Sequence, residues 1–212
     1  IPLIYLKEKG LISGFSDNTF KPDQNINRAE AMHLLVKSIP FNSFSQVERP
    51  KTITADKQAG SPCNFPDTPK DQWYYQTICD AFNNKVVNGY PDGKFHPENQ
   101  INKAEAIKIA ILESGQSLNT DGLSNFDDVN DSDWFSSFTK IAKEKTYFVE
   151  NKDGNLAPQQ LLSRGNFAIL IYRMLKNHEE QSKFGKASYY HTSLDGSGTS
   201  STYNSPVLKF CI

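Results

Sequence analysis

The sequence predicts a mostly α-helical protein built from three helix-loop-helix repeats. The stretch GYPDGKFHPENQINKAE begins at Gly89, and a near-copy, GFSDNTFKPDQNINRAE, begins at Gly14. A weaker third copy, ENKDGNLAPQQLLSRGN, begins at Glu150. In each copy a turn precedes a segment whose apolar residues recur at the spacing of a helix. One short repeat cannot bury such a stripe alone, so the three second helices are expected to pack into a bundle.

The repeats align at fixed offsets along the chain. Five residues of repeat two recur 61 positions later in repeat three: Phe65, Asp67, Trp73, Pro97 and Lys103 correspond to Phe126, Asp128, Trp134, Pro158 and Arg164. Repeat one aligns with repeat two at an offset of 75, which matches Gly14 to Gly89 and Arg28 to Lys103. At that offset the Phe-x-Asp motif and the Trp of repeat one would precede Ile1. Repeat one is therefore expected to lack its N-terminal part.

These offsets divide the chain into six segments. Repeat one covers residues 1–39, an insertion loop 40–64, repeat two 65–115, a linker 116–125, repeat three 126–176, and a tail 177–212. The tail is rich in Ser, Gly and Tyr and shows no helical period, so it is interpreted as a short non-helical segment, a linker that could hold a strand.

Local signals predict the start of each second helix. In repeat two, the turn at residues 90–93 has Pro and Gly where fixed and permissive backbone angles are needed. Two capping boxes are predicted, Asn27 with Glu30 and Asn102 with Glu105. Ser163 can cap the third helix, although Asn166 replaces the Glu. The predicted core stripes are Met32, Leu35, Val36 and Ile39; Ile107, Ala110 and Ile111; Phe167, Leu170, Ile171 and Met174.

Composition narrows the function classes. The chain has 212 residues, 23 basic and 24 acidic, with a net charge of -1. This balance argues against proteins that bind nucleic acids or membrane surfaces, which normally carry a basic excess. No apolar run approaches the roughly 20 residues that a transmembrane helix needs. The first residues, IPLIYLKEKG, are typical of the middle of a helix and not of a signal peptide, so an upstream segment is expected.

Metal, cofactor and catalytic signals are weak. The cysteines are Cys63, Cys79 and Cys211, without a CxxC pair, so no zinc site is predicted. Cys63 and Cys79 could close a small disulfide loop or remain free thiols, and the sequence leaves both open. The acidic run at residues 127–133 lacks EF-hand spacing. His33 is expected to be a partly buried helical side chain. We predict no cofactor and no catalytic set.

The repeated pattern Phe-x-Asp…Trp…Gly-(Tyr/Phe)-x-Asp-x-x-Phe-x-Pro…Ile-(Thr/Asn)-(Arg/Lys)-Ala-Glu resembles the S-layer homology domain over roughly residues 1–176. The resemblance implies a pseudo-threefold spindle with a central three-helix bundle. It also implies non-covalent anchoring of a surface protein to the bacterial cell envelope, outside the cell. The ligands of that family are secondary cell-wall polysaccharides, often pyruvylated, or peptidoglycan-linked glycans. They lie in grooves between adjacent repeats.

The resemblance assigns ligand binding to one basic residue in each repeat, Arg28, Lys103 and Arg164. A cation at a helix start is mildly unfavourable, because the first turn carries partial positive charge. A pyruvyl ketal carries a carboxylate, and a basic side chain beside free helix N–H groups could bind it. The alternative is that these residues are solvated or pair with a nearby Asp. Lys103 lacks the bidentate geometry of Arg, and Glu150 in place of Gly would repel an anion.

Other predicted binding residues each have a structural alternative. Trp73 and Trp134 could stack on sugar rings or pack in the core. Asp67 and Asp128 could accept hydrogen bonds from sugar hydroxyls or cap the first helices. Tyr90 and Phe15, which follow the turn glycines, could line the groove or pack in the core. The turn glycines Gly14 and Gly89 complete the predicted ligand-binding residues.

Two further functions stay open. The stretch GKASYYHTSLDGSGTSS, from Gly185 to Ser201, resembles the start of the double-psi barrel of rare-lipoprotein-A-like and expansin-like wall proteins. The chain would then be the anchoring part of a wall-modifying enzyme whose catalytic domain follows the tail. It could alternatively be a structural surface-layer subunit whose main partners are other surface-layer proteins.

Overall fold

The computed structural model describes residues 2–39 and 63–191, with side chains through residue 182. Its elements are six helices: α1 (Pro2–Glu8), α2 (Arg28–Ser38), α3 (Tyr75–Asn83), α4 (Lys103–Ser114), α5 (Ser136–Glu144) and α6 (Arg164–His191). The mostly helical fold is confirmed. Of the described residues, 2–39 and 63–178 belong to one compact unit and 179–191 to another. Most of the predicted insertion loop, residues 40–62, lies outside the described residues.

A closed ring of backbone hydrogen bonds joins the three repeats just before their second helices. Ile26 N–H donates to the carbonyl of Leu162 (2.9 Å), Leu162 N–H to Ile101 (2.9 Å), and Ile101 N–H to Ile26 (3.2 Å). All three side chains are fully buried. Each repeat donates one hydrogen bond to one neighbouring repeat and accepts one from the other. The ring therefore has the predicted pseudo-threefold arrangement.

The helices pair between repeats. α2 of repeat one packs against α3 of repeat two, and α4 of repeat two packs against α5 of repeat three. Between α6 and α1, the rings of Tyr5 and Tyr172 meet edge to face at 5.2 Å. Each second helix thus contacts the first helix of the following repeat, and every repeat boundary becomes a place where side chains from two repeats meet.

The predicted apolar stripes form the core. Of the eleven residues named from the sequence, ten are buried and Val36 is partly buried. Phe95, which follows the turn of repeat two, is also fully buried. Burying this much apolar surface is the main favourable term in the folding free energy, and here the surface comes from all three repeats.

The predicted helix starts are confirmed for the second helices. Asn27 and Asn102 form complete capping boxes with Glu30 and Glu105, and Ser163 Oγ accepts from Asn166 N–H at 3.2 Å. The turn at residues 90–93 closes through a hydrogen bond from Gly93 N–H to the Tyr90 carbonyl at 2.9 Å.

Asp67 does not cap the first helix of repeat two. That helix, α3, starts at Tyr75 after an N-cap residue, Tyr74, that makes no side-chain capping bond. Asp67 instead accepts backbone N–H bonds from Phe95 (2.9 Å) and His96 (2.7 Å), across the loop that follows the turn. Asp128 holds Leu156 and Ala157 in the same way in repeat three. The sequence alternative of an N-cap is therefore wrong for both residues.

A disulfide joins Cys63 to Cys79, 16 positions apart. It connects the segment that precedes repeat two to the middle of α3. By the chain-entropy argument, a loop of this length stabilises the fold by about 3 kcal/mol. Cys211 lies outside the described residues.

The end of α6 differs from the expectation for the tail. The helix continues to His191, so residues 177–191 are helical where the sequence analysis assigns a non-helical segment. Glu179, Glu180 and Gln181 are good helix formers, and they extend a helix that the core already nucleates. The beginning of the stretch that resembles a double-psi barrel, residues 185–191, is accordingly helical where a strand was expected. The remainder of that stretch lies outside the described residues.

Candidate functional site

The basic residue at each second helix reaches into the loop of another repeat. Arg28 Nε donates to the carbonyl of Phe95 (3.1 Å), Lys103 Nζ to that of Leu156 (2.7 Å), and Arg164 Nε to that of Phe20 (3.2 Å). The three acceptors occupy the same position in repeats two, three and one. A hydrogen bond that links two repeats therefore accounts for the cation at the start of every second helix.

The helix N–H groups beside these cations are not free. In α2, Arg28 N–H donates to Asn99 (2.9 Å) and Ala29 N–H to Pro97 (3.0 Å), both backbone carbonyls of repeat two. Glu30 N–H donates to Asn27 Oδ1 at 2.8 Å. The expectation of an anion bound by free N–H groups is wrong, because the neighbouring repeat already accepts their hydrogen bonds. A ligand at these sites must be bound by side chains.

A cleft lies where the three repeats meet around Arg28. Its volume is about 180 Å³. We call it the Arg28 cleft, and it is lined by Arg28, Val86, Val87, Asn88, Gly89, Tyr90, Glu105, Lys108, Ile109 and Trp134. Four of these residues were predicted from the sequence as ligand-binding: Arg28, Gly89, Tyr90 and Trp134. The structure brings them together although they belong to all three repeats.

Arg28 is the cation at the inner end of this cleft. It is 6% exposed, and its guanidinium lies 4.8 Å from the Tyr90 ring centre and 4.5 Å from that of Phe95. Burial lowers the pKa of the Arg28 guanidinium, while the Tyr90 phenol and the Glu105 carboxylate oppose that shift. Among the described residues, no carboxylate forms an ion pair with Arg28. The cleft therefore holds a largely desolvated positive charge.

Lys108 and Trp134 form the outer part of the cleft. The Lys108 ammonium lies 5.1 Å from the centre of the Trp134 ring. Trp134 is 56% exposed and Trp73, at the same position in repeat two, is 57% exposed, so the alternative of core packing is wrong for both. Lys108 was missed by the sequence analysis, since it lies outside the repeated motif. Its only signal is a position one turn after the motif Glu.

A second set of residues repeats this arrangement around Arg164. We call it the Arg164 site, and it comprises Arg164, Gly14, Phe15, Glu30, His33 and Trp73 at the corresponding repeat positions. The Arg164 guanidinium lies 4.5 Å from the Phe15 ring centre, and its Nη1 forms an ion pair with Glu30 at 3.1 Å. His33 takes the place of Lys108, and its ring meets that of Trp73 edge to face at 5.3 Å. His33 keeps much of its side chain exposed, while the packing around its ring desolvates the imidazole in part.

The third set, around Lys103, has a different composition. Asn151 stands where the other repeats have an aromatic residue, and Glu150 stands in the glycine position. Glu150 forms an ion pair with Lys143 at 3.1 Å, which offsets part of its charge. Burial lowers the pKa of the Lys103 ammonium, and the Asp128 carboxylate opposes that shift. This site lacks the aromatic wall that the other two share.

The motif glycines keep the turns of repeats one and two tight. A Cβ on Gly89 would lie 3.0 Å from the Lys94 carbonyl oxygen and would collide with the Phe65 ring, and a Cβ on Gly14 would lie 2.6 Å from the Thr19 carbonyl oxygen. These glycines allow the two sides of the turn to approach closely. They position Tyr90 and Phe15 over the arginines.

Within the described part of the chain, no cluster of three His, Cys, Asp or Glu side chains has an arrangement that could hold a metal ion. None of the helices in that part is long and apolar enough to cross a membrane.

Comparison with known proteins identifies the family. The profile of the S-layer homology domain matches three segments, residues 2–32, 64–107 and 125–168, which together make up more than half of the chain. The chain belongs to the S-layer homology family. Each match ends within or just after the start of a second helix, where the ring of hydrogen bonds and the basic residues lie.

Several relatives carry comparable segments. The chain is 26% identical over 185 residues to a surface-layer 125 kDa protein of Lysinibacillus sphaericus, covering 85% of this chain and 14% of that protein. It is 34% identical over 93 residues to a cellulosome-anchoring protein of Acetivibrio thermocellus, covering 42% and 21%. It is 25% identical over 179 residues to an endoglucanase of a Bacillus species, covering 80% and 17%.

These relatives establish the general function and place of the module. The chain spans about a fifth or less of the length of each of the three relatives. S-layer homology domains are anchoring modules, and two of these relatives are a surface-layer protein and an anchoring protein, so this module serves cell-surface anchoring. Its location is extracellular and associated with the cell wall.

Proposed function

We propose that the module anchors its protein by binding a carboxylate-bearing cell-wall glycan, such as a pyruvylated secondary polymer, in the Arg28 cleft. The observation that carries this proposal is the combination in one cleft of three features: a buried cation that has no carboxylate ion-pair partner among the described residues, a second cation and an exposed tryptophan. Arg28 and Lys108 bind the carboxylate, and Trp134 stacks on the apolar face of a sugar ring.

The roles of the other predicted residues follow from their partners. Tyr90 and Gly89 shape the wall of the cleft. Arg164 with Gly14 and Trp73 forms a second sugar-binding position. Lys103, whose ammonium already donates to the Leu156 carbonyl, contributes mainly to structure. Asp67 and Asp128 act through the loops that they hold, since each accepts two backbone N–H bonds.

We further infer that the module itself is not the catalytic part of its protein. An endoglucanase is among the relatives, but the match covers only 17% of that enzyme. In an enzyme of this kind, the module would hold a separate catalytic domain at the wall.

The proposal is tested with purified cell walls, either native or stripped of secondary polysaccharide. The chain and a Lys108→Gln/Trp134→Ala variant are sedimented with each preparation. We expect the variant to bind native walls at least about ten-fold more weakly, a loss of about 1.4 kcal/mol. Stripped walls should bind both proteins equally poorly.

The matched control is Lys7→Gln, which removes an exposed cation on α1, away from the cleft. It should leave wall binding unchanged. Equal binding of native and stripped walls by the unmodified chain would overturn the glycan proposal and would favour contacts with other surface proteins.

A further inference from the structure

The Arg28 cleft and the Arg164 site differ in the partner of one carboxylate oxygen. Glu105 and Glu30 occupy the same repeat position, and one oxygen of each closes a capping box. Glu105 Oε2 accepts from Asn102 N–H at 3.0 Å, and Glu30 Oε2 accepts from Asn27 N–H at 3.2 Å. The capping box therefore fixes both carboxylates in equivalent places and leaves Oε1 of each for another partner.

The partner of that second oxygen depends on one hydroxyl group. In the Arg28 cleft, Tyr90 Oη donates to Glu105 Oε1 at 3.3 Å. In the Arg164 site the corresponding residue is Phe15, which has no hydroxyl, and Glu30 Oε1 pairs with Arg164 Nη1 at 3.1 Å. Both aromatic rings still lie against their arginines, 4.8 Å and 4.5 Å from ring centre to guanidinium. The two sites thus differ by a hydroxyl group and by the pairing of the arginine.

We propose that the Tyr90 hydroxyl decides ligand class: it holds Glu105 away from Arg28, so the Arg28 cleft takes a carboxylate-bearing sugar, whereas the Arg164 site takes an uncharged sugar. This inference rests on the proposed function. An arginine already paired with Glu30 offers little net charge to an anion. The exposed face of Trp73 remains available for stacking on a neutral sugar ring. Tyr90 is a positioning residue, because it acts through Glu105.

Net charge at the two sites supports the same division. The Arg28 cleft contains two cations, Arg28 and Lys108, and one carboxylate, Glu105. The Arg164 site contains Arg164 and Glu30, with His33 in place of the lysine. Burial, followed by the charge of Lys37, lowers the pKa of His33, so the imidazole is neutral at neutral pH. Counted over these residues, the first site has one positive charge in excess and the second has none. The Asp67 carboxylate, which accepts the Phe95 and His96 N–H groups, also interacts with Arg28 and offsets part of that excess.

The test uses two probes that differ only in the carboxylate. One is a methyl hexoside with a pyruvyl ketal, and the other is the same sugar with an isopropylidene ketal, in which a methyl group replaces the carboxylate. Titration calorimetry at pH 7.5 gives the affinity and the number of sites. We expect the unmodified chain to bind one equivalent of the carboxylate probe.

Reciprocal exchange of the hydroxyl then tests its role. In Tyr90→Phe, Glu105 is free to pair with Arg28, and affinity for the carboxylate probe should fall about ten-fold, with the isopropylidene probe unaffected. In Phe15→Tyr, Glu30 gains a hydroxyl partner, Arg164 is released, and the chain should bind two equivalents of the carboxylate probe. A Phe15→Tyr/Trp73→Ala variant should return to one equivalent. Both single exchanges are nearly isosteric, and unchanged thermal unfolding verifies the fold.

Each outcome bears on the inference. Undiminished carboxylate affinity in Tyr90→Phe, or a single equivalent in Phe15→Tyr, would overturn the role of the hydroxyl. If Tyr90→Phe loses affinity for both probes alike, Tyr90 acts only through packing, and the proposed role of its hydroxyl is overturned. Failure of the unmodified chain to bind either probe or the wall polysaccharide would instead overturn the proposed function. Wall binding that survives while the exchanges have no effect would reject this inference alone.

Discussion

The Arg28 cleft and the Arg164 site share a backbone frame but differ in charge. The tryptophans at their rims are 56% and 57% exposed, and both arginines are 6% exposed. Both guanidiniums donate to a loop carbonyl and lie against two aromatic rings. Only the polar groups around the arginines change. The comparison shows that a threefold fold can keep its geometry while substitutions at a few exposed or half-buried positions give each site its own electrostatics.

The largest expected effect is on stability, and it should appear at the Arg164 site. Arg164→Met removes the ion pair with Glu30 and the hydrogen bond to Phe20, and it leaves a half-buried carboxylate unpaired. Urea unfolding should show a loss of about 3 kcal/mol. Arg28→Met loses only the bond to Phe95 and the contacts with two rings, so it should cost about half as much. Equal losses would mean that the ion pair contributes nothing to the difference between the sites.

The second effect is on binding, and here Arg28→Met should have a larger effect than Arg164→Met. Arg28→Met should weaken wall-polysaccharide binding about 100-fold, because a charge-assisted contact in a desolvated cleft is lost. Arg164→Met should change affinity less than about three-fold, provided that the variant is measured where it remains folded. Arg28→Lys should recover part of the loss, since the charge returns without the fork geometry. A similar loss in both methionine variants would erase the proposed division between the sites.

The third effect is a pH dependence of stability. We expect it for α4, which forms a wall of the Arg28 cleft, and not for α2, which forms a wall of the Arg164 site. Glu113, near the end of α4, is 2% exposed, and within the described part of the chain its Oε2 has no hydrogen-bond partner. Ser38 takes the same position in α2. Burial, followed by the charge of Asp80, raises the pKa of Glu113 from 4.5 to about 7. Folding therefore favours the protonated acid.

The pH dependence follows from the sign of that shift. Because the folded pKa is higher than the unfolded one, the stabilisation is complete below pH 4.5 and is lost as pH rises to about 7. Glu113→Gln should raise the free energy of unfolding by about 3 kcal/mol at pH 8 and should have little effect at pH 4. Ser38→Ala serves as the control and should give a difference that does not depend on pH. A difference for Glu113→Gln that is constant across pH would contradict the assignment.

The smallest effect concerns His33. Because the pKa of His33 is lowered, its imidazole becomes charged only in acid. In a Phe15→Tyr/Lys108→Gln/Trp134→Ala background, in which Arg164 is released from Glu30, the carboxylate probe should bind the Arg164 site about three-fold more tightly at pH 5 than at pH 7.5. His33→Gln should abolish that difference. An equal pH dependence in the glutamine variant would assign the effect to another group.

Much of the local structure was predictable from neighbouring residues. The capping boxes, the turn at residues 90–93 and the apolar stripes each depend on side chains within a few positions of one another. The end of α6 was not predictable in this way. Residues 177–191 carry no apolar period, but the helix formers among them continue a helix that the packed core already holds in place.

The candidate site was predicted only in part. The repeated motif pointed to Arg28, Gly89 and Tyr90, and the repeat pattern to Trp134. The motif could not identify Lys108, because that position differs among the repeats. It also assigned the same role to Arg28 and Arg164, since the deciding contact depends on whether residue 90 or residue 15 carries a hydroxyl.

The sequence by itself determined the number of repeats, their register and the start of each second helix, since these depend on local spacing and local hydrogen bonds. Only the tertiary structure decided which repeat completes which site. Arg28 meets a carbonyl 67 positions away and Arg164 one 144 positions away. The closed ring of backbone bonds also occupies the helix N–H groups that a single repeat would leave free. Burial and pairing across repeat boundaries set the charge of each site, and those depend on contacts that sequence spacing does not encode.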